Sequence, residues 1–240
     1  MNNVYLIADV PFKIEYKSKN TELLLSAYLT NLEPLHALEL PNESDIEFEM
    51  KMAKTTDYNK VENVAILRKI STILLKDHNT ILFHGSAICY NNFAYLFTAP
   101  SGTGKSTHVN NLKTILGDNL TYINDDKPFI KFNDNKIIVY GSPWCGKHNL
   151  GSNVKRELMS IVFLTRGNEN KVSQIDGNLA IKPLIKQCFM LDNIVDTTTA
   201  LSLISKLVNS AKFYLLQCTK DLESAYVTIN NVLKGENNEN

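Results

Sequence analysis

The residues with the clearest chemical potential lie in the sequence APSGTGKS, residues 99–106, which we call the candidate phosphate loop. Gly102 and Gly104 free the backbone to turn its N–H groups inward around phosphate oxygens, and the helix that follows directs its positive end at them. Lys105 is the expected partner of the β- and γ-phosphates of a nucleotide, and the Ser106 hydroxyl is the expected ligand of Mg²⁺. The pattern therefore predicts binding of Mg-ATP.

The loop departs from the pattern G-x-x-x-x-G-K-[ST] at its first position, which is Ala99. That position closes the turn back onto the preceding strand, so alanine is compatible if its φ is negative. A strand, FAYLFTA, precedes the loop and a helix, KSTHVNNLKTIL, follows it; the alternative is a glycine-serine turn without a ligand. The predicted nucleotide contacts are Ser101, Gly102, Thr103, Gly104, Lys105, Ser106 and Thr107.

Two adjacent carboxylates, Asp125 and Asp126, end the apolar run LTYINDD. Side by side near a polyphosphate they would repel each other and the substrate, unless Mg²⁺ or another cation compensates one of them. One can then hold the metal while the other accepts a proton from an incoming hydroxyl group. The alternative is an ordinary acidic turn before Pro128.

A histidine is expected at the mouth of the loop. The runs TILFHGSAICY and FAYLFTA, joined by Asn91-Asn92, predict a β-hairpin. With a two-residue turn, His84 lies across from Ala99, where its imidazole can hydrogen-bond the aspartate that acts as base.

The composition of the whole chain limits the classes of function. The chain has 240 residues, 44% of them hydrophobic, which is enough for one large core with a smaller attachment. The chain has 25 basic residues (Lys and Arg) and 25 acidic residues (Asp and Glu), so its net charge is zero. Partners that bind through bulk charge, such as nucleic acids and anionic membranes, are therefore disfavoured. Four scattered cysteines disfavour a zinc site and a disulfide framework. With no targeting or membrane-spanning segment recognised, we expect a cytoplasmic protein.

The elements that position these residues fall into two predicted units. Residues 1–75 are expected to form a small extension, with strands at VYLIADV and DIEFEMKMA and a helix near ELLLSAYL. Residues 76–235 are expected to form the core, and residues 236–240 a disordered tail. Between the two units, VENVAILRKISTILLKDH predicts a helix with Val64, Leu67 and Leu74 on one apolar stripe.

The remaining core segments alternate between strand and helix patterns. LTYIND and KIIVYG predict strands, and LMSIVFLTR with KVSQI predicts a strand pair around Gly167-Asn168. TTALSLISKLVN predicts a helix, FYLLQC a final short strand, and KDLESAYVTINNVLKG a helix that stops at Gly235.

The segments FHGSAI, APSGTGKST and INDDKP together resemble the catalytic core of HPr kinase/phosphorylase, over residues 78–235. The resemblance implies an α/β fold with a P-loop kinase core of the phosphoenolpyruvate-carboxykinase-like type and a small N-terminal α+β extension. It also implies that Asp125 is the catalytic base, that His84 supports it, and that Asp126 lies beside the metal. The glycine-rich second signature of that family is missing from this sequence.

In place of that signature stands YGSPWCGKHNLGSNV, residues 140–154, which resembles the shorter HPr-kinase-like kinases that tailor peptides. There Lys147 is a candidate to contact the transferred phosphate and Trp144 a candidate wall for the substrate; the alternative is a glycine-rich turn with an exposed lysine. Arg166 is interpreted as a surface arginine at a strand end, and His108 as a packed or solvated helical residue.

These observations predict a Mg-ATP-dependent kinase that phosphorylates a hydroxyl group, either on a serine of a peptide or small protein or on a small hydroxyl compound. A nucleotide-sensing protein without transfer activity is the alternative that Ala99 favours, and phosphorolysis of a phosphoserine is a second. A GTP switch and an ABC-type ATPase are disfavoured because N-K-x-D and L-S-G-G-Q segments are missing. The HPr kinase family, which this sequence resembles, forms hexamers; the shorter chain need not, so the resemblance leaves open whether it is a homo-oligomer.

Overall fold

The computed structural model describes residues 3–134, 136–189 and 194–234, and these residues form two β-sheets with helices packed on them. Residues 3–78, as described, build a four-stranded sheet, in the order β3-β1-β2-β4, and three helices. Its strands are β1 (Val4–Ile7), β2 (Val10–Ile14), β3 (Leu29–Thr30) and β4 (His36–Leu38). The helices are α1 (Lys19–Leu25), continued by a 3₁₀ turn (Ser26–Tyr28), α2 (Glu43–Ala53) and α3 (Tyr58–His78).

In the described part of the chain the second sheet has nine strands, in the order β5-β9-β10-β11-β7-β6-β8, with β13 also beside β11 and β12 beside β13. Its strands are β5 (Thr80–Leu82), β6 (Ser86–Tyr90), β7 (Phe93–Thr98), β8 (Leu120–Asn124), β9 (Phe129–Phe132), β10 (Ile137–Tyr140), β11 (Lys155–Arg166), β12 (Lys171–Ile175) and β13 (Lys212–Cys218). The helices are α4 (Lys105–Leu116), followed by a 3₁₀ turn (Gly117–Asn119), α5 (Gly177–Gln187), α6 (Ile194–Ser210) and α7 (Glu223–Thr228), continued by a π-helical turn (Ile229–Leu233).

The predicted β6–β7 hairpin is confirmed. Asn91 and Asn92 both have positive φ, 48° and 66°, as a two-residue hairpin turn requires, and Tyr90 pairs with Phe93. Regular pairing ends at Ser86, so His84 lies just beyond the ladder. Its position there is nevertheless held, because the Thr98 hydroxyl donates a hydrogen bond to the His84 carbonyl oxygen at 3.0 Å.

The segment DIEFEMKMA, predicted as a strand, is helix α2 instead. Its alternation of apolar and acidic residues imitates a strand pattern, but Phe48 and Met52 are exposed. The deciding signal is local: the Asn42 side chain accepts from the Asp45 N–H at 2.9 Å, and the Asp45 carboxylate accepts from the Asn42 N–H at 2.9 Å. This reciprocal capping box starts a helix.

The predicted pairing of LMSIVFLTR with KVSQI is wrong, because β13 lies between β11 and β12. β13 runs parallel to β11 and antiparallel to β12, so the last strand in the sequence is an interior strand of the sheet. The buried side chains of Phe213 and Leu216 suit such a position. Helix α5 was not predicted, and Gly235 and the predicted tail at 236–240 lie outside the described residues.

Helix α3 joins the two sheets through one shared core. Leu67, Ile70 and Leu74 are buried, whereas Val64, predicted on the same stripe, is exposed. The buried stripe packs with Phe12 of the first sheet and with residues of the second sheet in one apolar cluster. The predicted boundary after residue 75 falls within the last turn of α3.

The second sheet is covered on both faces. One apolar cluster packs the sheet against α5 and α6, and another packs it against α4 and α7. Such two-sided covering accounts for strands that are nearly continuously apolar. No helix in the described part of the chain is both long enough and apolar enough to cross a membrane.

Helix α1 begins above a fully buried carboxylate, that of Glu62 on α3. Glu62 accepts hydrogen bonds from the N–H groups of Lys17 (2.7 Å) and Ser18 (2.9 Å) and from the hydroxyls of Thr21 (2.6 Å) and Tyr58 (2.9 Å). All four partners are donors, so the site requires an acceptor on both oxygens.

We therefore expect Glu62→Gln to destabilise the fold by about 3 kcal/mol, because the new amide N–H groups meet donors and leave buried groups unpaired. The measurement is the free energy of unfolding in urea. Glu47→Gln, at an exposed position of α2, is the matched control and should change stability by less than about 0.5 kcal/mol. Equal effects of the two substitutions would contradict the assigned role of Glu62.

His108 joins α4 to α7, as the packed alternative for this residue predicted. Its Nδ1 lies 3.2 Å from the Ser224 hydroxyl and its Nε2 lies 3.0 Å from the Thr228 hydroxyl. Burial lowers the pKa of His108 from 6.5 to about 4. The unfolded chain therefore binds a proton between these two pH values when the folded protein does not, and stability should fall as the pH falls through this window.

The titration of His108 is expected to lower the free energy of unfolding by about 3 kcal/mol between pH 7 and pH 4. His108→Gln keeps a polar side chain that does not titrate. The free energy of unfolding of this variant should therefore fall by about 3 kcal/mol less than that of the unmodified protein between pH 7 and pH 4. Denaturant unfolding of both proteins at several pH values checks this. Parallel pH curves would show that His108 is not the group responsible.

Candidate functional site

The candidate phosphate loop joins the end of β7 to the start of α4. Gly102 and Gly104 have positive φ, 76° and 117°, a conformation that favours glycine. The Thr103 N–H and hydroxyl both donate to the Pro100 carbonyl oxygen, at 3.2 and 2.7 Å, which tightens the turn. Ala99 is buried and its φ is not positive, so the sheet accommodates alanine where the sequence pattern expects glycine.

Lys105, the first residue of α4, extends toward the acidic pair. Its Nζ donates to the Ser86 hydroxyl at 3.0 Å and to the Asp125 carbonyl oxygen at 3.2 Å. Burial lowers the pKa of Lys105, and the charges of Asp126 and Asp125 oppose that shift. The structure thus brings the loop lysine into one site with the acidic pair, whose first member, Asp125, is 20 positions further along the chain.

The acidic pair sits on a turn built by Asn124, a residue that the sequence analysis missed. Asn124 is fully buried, and its Oδ1 accepts from the N–H groups of Asp126 (2.8 Å) and Lys127 (2.6 Å). Its Nδ2 donates to the carbonyl oxygens of Ser142 (3.0 Å) and Trp144 (3.3 Å). An asparagine directly before a turn is a local signal that could have revealed the first half of this role.

Asp125 is oriented by the segment 140–154. The Gly146 N–H donates to Asp125 Oδ1 at 2.6 Å. A Cβ atom at Gly146 would lie 3.2 Å from the other carboxylate oxygen, so this approach is close and favours glycine. The glycine-rich segment therefore contributes a backbone donor to the site.

Two other side chains of this segment, Trp144 and Lys147, differ in burial. Trp144 is buried and its indole N–H donates to the Asn63 carbonyl oxygen of α3 at 2.9 Å. The suggestion that Trp144 forms a substrate wall is therefore wrong; its ring fills the core between the two sheets. Lys147 lies at the exposed surface after Gly146, and its predicted contact with phosphate remains a prediction.

Asp126 is held between the His84 imidazole and the Lys127 ammonium group. Its Oδ1 lies 3.4 Å from His84 Nε2, and its Oδ2 contacts the Lys127 ammonium group. Interaction with His84, together with Lys127, holds the pKa of Asp126 well below its usual range, although burial opposes the shift. The structure thus pairs His84 with Asp126 and not with Asp125 as the resemblance implied. The reason is backbone alignment, because the Gly85 N–H donates to the Asp126 carbonyl oxygen at 3.0 Å.

His84 is fixed from its other side by Gln187, the last residue of α5. His84 Nδ1 lies 2.9 Å from Gln187 Oε1, and the His84 N–H donates to the Gln187 carbonyl oxygen at 2.7 Å. The two residues are 103 positions apart and α5 was not predicted, so no local pattern indicated this contact.

Arg166 is exposed, as predicted, but it also contacts the loop. Its Nη2 donates to the Gly102 carbonyl oxygen, and its Nε donates to the Thr103 carbonyl oxygen at 3.3 Å. A planar guanidinium group can bridge two neighbouring acceptors in this way, whereas an ammonium group cannot do so with the same rigidity. Arg166 therefore links the end of β11 to the candidate phosphate loop.

The site offers only a few side-chain oxygen atoms that could ligate a metal ion. Ser101, Ser106 and Thr107 are exposed around the start of α4, and Asp126 supplies a carboxylate on the facing turn. A hydroxyl and one carboxylate suit Mg²⁺, which takes its remaining ligands from phosphate and water. Within the described ranges, no group of three or more His, Cys, Asp or Glu side chains is placed to hold a metal on its own.

No protein-family model matches the chain, and no curated protein matches it. Among solved structures, it is similar to the HPr(Ser) kinase/phosphatase from Coxiella burnetii, with a TM-score of 0.37 and 12% sequence identity over 65% of this chain and 98% of that chain. A likeness at this level carries no argument about the activity of this chain.

The role of Asn124 yields a direct test. Asn124→Ala removes both the acceptor of the acidic turn and the donor to the neighbouring segment, leaving several buried backbone groups without partners. We expect a loss of about 3 kcal/mol in the free energy of unfolding in urea. Asn31→Ala, at an exposed position, is the control and should be nearly neutral. A neutral Asn124→Ala variant would contradict this account of the turn.

Proposed function

We propose that the protein is a Mg-ATP-dependent kinase that transfers the γ-phosphoryl group to a hydroxyl of an acceptor. The observation that carries the proposal is the contact of Lys105 Nζ with the Asp125 carbonyl oxygen at 3.2 Å, because it unites the loop lysine and the acidic pair in one site. A loop that only turned between a strand and a helix would not need its lysine directed at the backbone of an acidic turn.

In this proposal the loop binds the phosphates. The backbone N–H groups around Gly102 and Gly104 and the start of α4 supply positive potential, and Lys105 supplies a full charge. The Lys105 side chain is already partly buried and hydrogen-bonded to Ser86 and to the Asp125 carbonyl oxygen. A phosphate would take the place of these partners, so binding would cost little further desolvation of the ammonium group.

Asp126 and Ser106 are the proposed metal ligands. The depressed pKa of Asp126 keeps its carboxylate ionised over the working pH range, as metal ligation requires. His84 and Lys127 orient this carboxylate until a cation takes part of their place. Mg²⁺ held by Asp126 and Ser106 would help to neutralise the charge that develops on the transferred phosphoryl group.

Asp125 is the proposed base. In the described part of the chain it makes no ion pair, and the Gly146 N–H holds its Oδ1 in a defined orientation at 2.6 Å. An ionised carboxylate that is not neutralised by a cation can accept the proton of an incoming hydroxyl. The transition state of phosphoryl transfer is loose, so most of the rate enhancement comes from positioning and charge neutralisation and the proton leaves late. Lys147 is proposed to approach the transferred phosphate from the adjoining exposed segment.

The proposed acceptor is a serine of a peptide or small protein, or a small hydroxyl compound. The dedicated contacts to both aspartates favour transfer over nucleotide sensing, since binding alone requires no base. The proposed location is the cytoplasm, and neither a nucleic acid nor a membrane is a proposed partner.

The test is ADP formation from Mg-ATP with a panel of serine-containing peptides and free hydroxy amino acids, with nucleotide binding measured separately. Asp125→Asn should reduce acceptor-dependent turnover by about a hundredfold or more and leave nucleotide affinity nearly unchanged. Lys105→Ala should weaken nucleotide binding itself. Asp118→Asn, which removes an exposed carboxylate after α4, is the matched control and should behave like the unmodified protein.

The assignment of Asp126 as a metal ligand is tested separately, by the dependence of turnover on Mg²⁺ concentration. Asp126→Asn should raise the Mg²⁺ concentration needed for half-maximal turnover by about tenfold. If Asp126→Asn abolished turnover at saturating Mg²⁺ while Asp125→Asn retained it, the two roles would be reversed. Tight ATP binding without turnover for any acceptor would favour the sensor, and no nucleotide binding would overturn the proposal.

A further inference from the structure

A second compartment adjoins the candidate phosphate loop. It is a cavity of about 450 Å³ between the loop, the start of α4 and the segments that follow β11 and β13. Its lining includes Thr103, Thr107, Arg166, Asn168, Thr219 and Lys220. This volume lies in the range of cavities that hold small organic ligands.

The sheet order separates this cavity from the acidic pair. The strand that carries the loop, β7, has β6 and then β8 on one side, and β8 ends at the acidic turn. On its other side β7 has β11 and then β13, whose ends line the cavity. The loop therefore stands between two compartments, with the Lys105 ammonium group directed toward the acidic one.

We propose that this cavity binds the nucleoside, the base and ribose, of the nucleotide whose phosphates occupy the loop. The inference rests on the proposed function. A nucleoside triphosphate that presents its terminal phosphate to Lys105 and the aspartates must place its other end away from them, and the cavity is the compartment on the opposite side of the loop.

The chemistry of the lining suits this ligand. The cavity lining contains two cations, Arg166 and Lys220, and no carboxylate. Arg166 is held by the carbonyl oxygens of Gly102 and Thr103, and a guanidinium group fixed in place is a good stacking surface for an aromatic base. The Asn168 amide and the threonine hydroxyls both donate and accept hydrogen bonds, as recognition of a base edge and a ribose requires.

The same contacts couple the two compartments. Arg166 lines the cavity and also donates to two carbonyl oxygens of the loop, so a base stacked on Arg166 holds the loop in its phosphate-binding conformation. A nucleoside should therefore contribute affinity beyond that of a phosphate chain alone.

The experiment compares Mg-ATP with inorganic tripolyphosphate, each titrated calorimetrically into the full chain. Asn168→Trp fills the cavity, and Glu169→Trp places the same ring on the next residue, which is exposed and does not line it. We expect Asn168→Trp to weaken ATP binding by about tenfold or more and to leave tripolyphosphate affinity within about threefold. Glu169→Trp should change neither. Lys220→Trp fills the cavity from the β13 side and should repeat the pattern if Asn168→Trp does not fold.

Four results would overturn the inference, and they are distinguishable. Unchanged ATP affinity in a folded cavity-filling variant would show that the nucleoside binds elsewhere. Equal losses for ATP and tripolyphosphate would show that the cavity holds phosphate. If the unmodified protein bound neither ligand, the proposed function would fail and this inference with it, whereas binding of tripolyphosphate as tightly as ATP would leave phosphate binding intact and remove only the nucleoside site.

Discussion

The buried side-chain amide of Asn124 is the interaction on which the candidate site depends. Its oxygen accepts from two backbone N–H groups of the acidic turn, and its nitrogen donates to the segment that carries Gly146. One side chain thus sets the positions of both elements that meet at Asp125. A neutral amide has a distinct acceptor end and a distinct donor end, so a buried asparagine satisfies all of these partners in only one orientation. The carboxylates of the acidic turn are thus held by a neutral group whose own hydrogen bonds are satisfied.

The two aspartates, although adjacent, occupy different electrostatic environments. Asp126 lies against His84 and Lys127, which keep it ionised, while Asp125 is held by a backbone donor without an ion pair in the described chain. Two carboxylates in identical surroundings would titrate as a coupled pair and would share one role. The asymmetry arises from the β6 side, where the backbone contact of Gly85 with Asp126 brings His84 to one carboxylate only.

Much of this site could be predicted because its signals are local. The loop glycines, the lysine after them and the turn residues Asn91 and Asn92 act within a few positions, and the hairpin register follows from the turn alone. The unpredicted parts rest on contacts between distant segments: His84 with Gln187 is 103 positions apart, and Arg166 with Gly102 is 64 apart. The insertion of β13 between β11 and β12 belongs to the same class, since strand patterns indicate strands but not their neighbours. Helix α2 was missed for the opposite reason, because a local capping box outweighed a strand-like alternation.

Trp144 is the only tryptophan of the chain, and its indole group bridges the two halves of the molecule. Its ring packs in the core shared by both sheets, its N–H is bonded to α3, and its carbonyl oxygen accepts from Asn124 beneath the acidic turn. The emission of this single indole, excited at wavelengths that tyrosine does not absorb, should therefore report on the joint between the N-terminal sheet and the candidate site without any added label. Movement of the segment 140–154 and separation of the two sheets would both change the surroundings of the same ring.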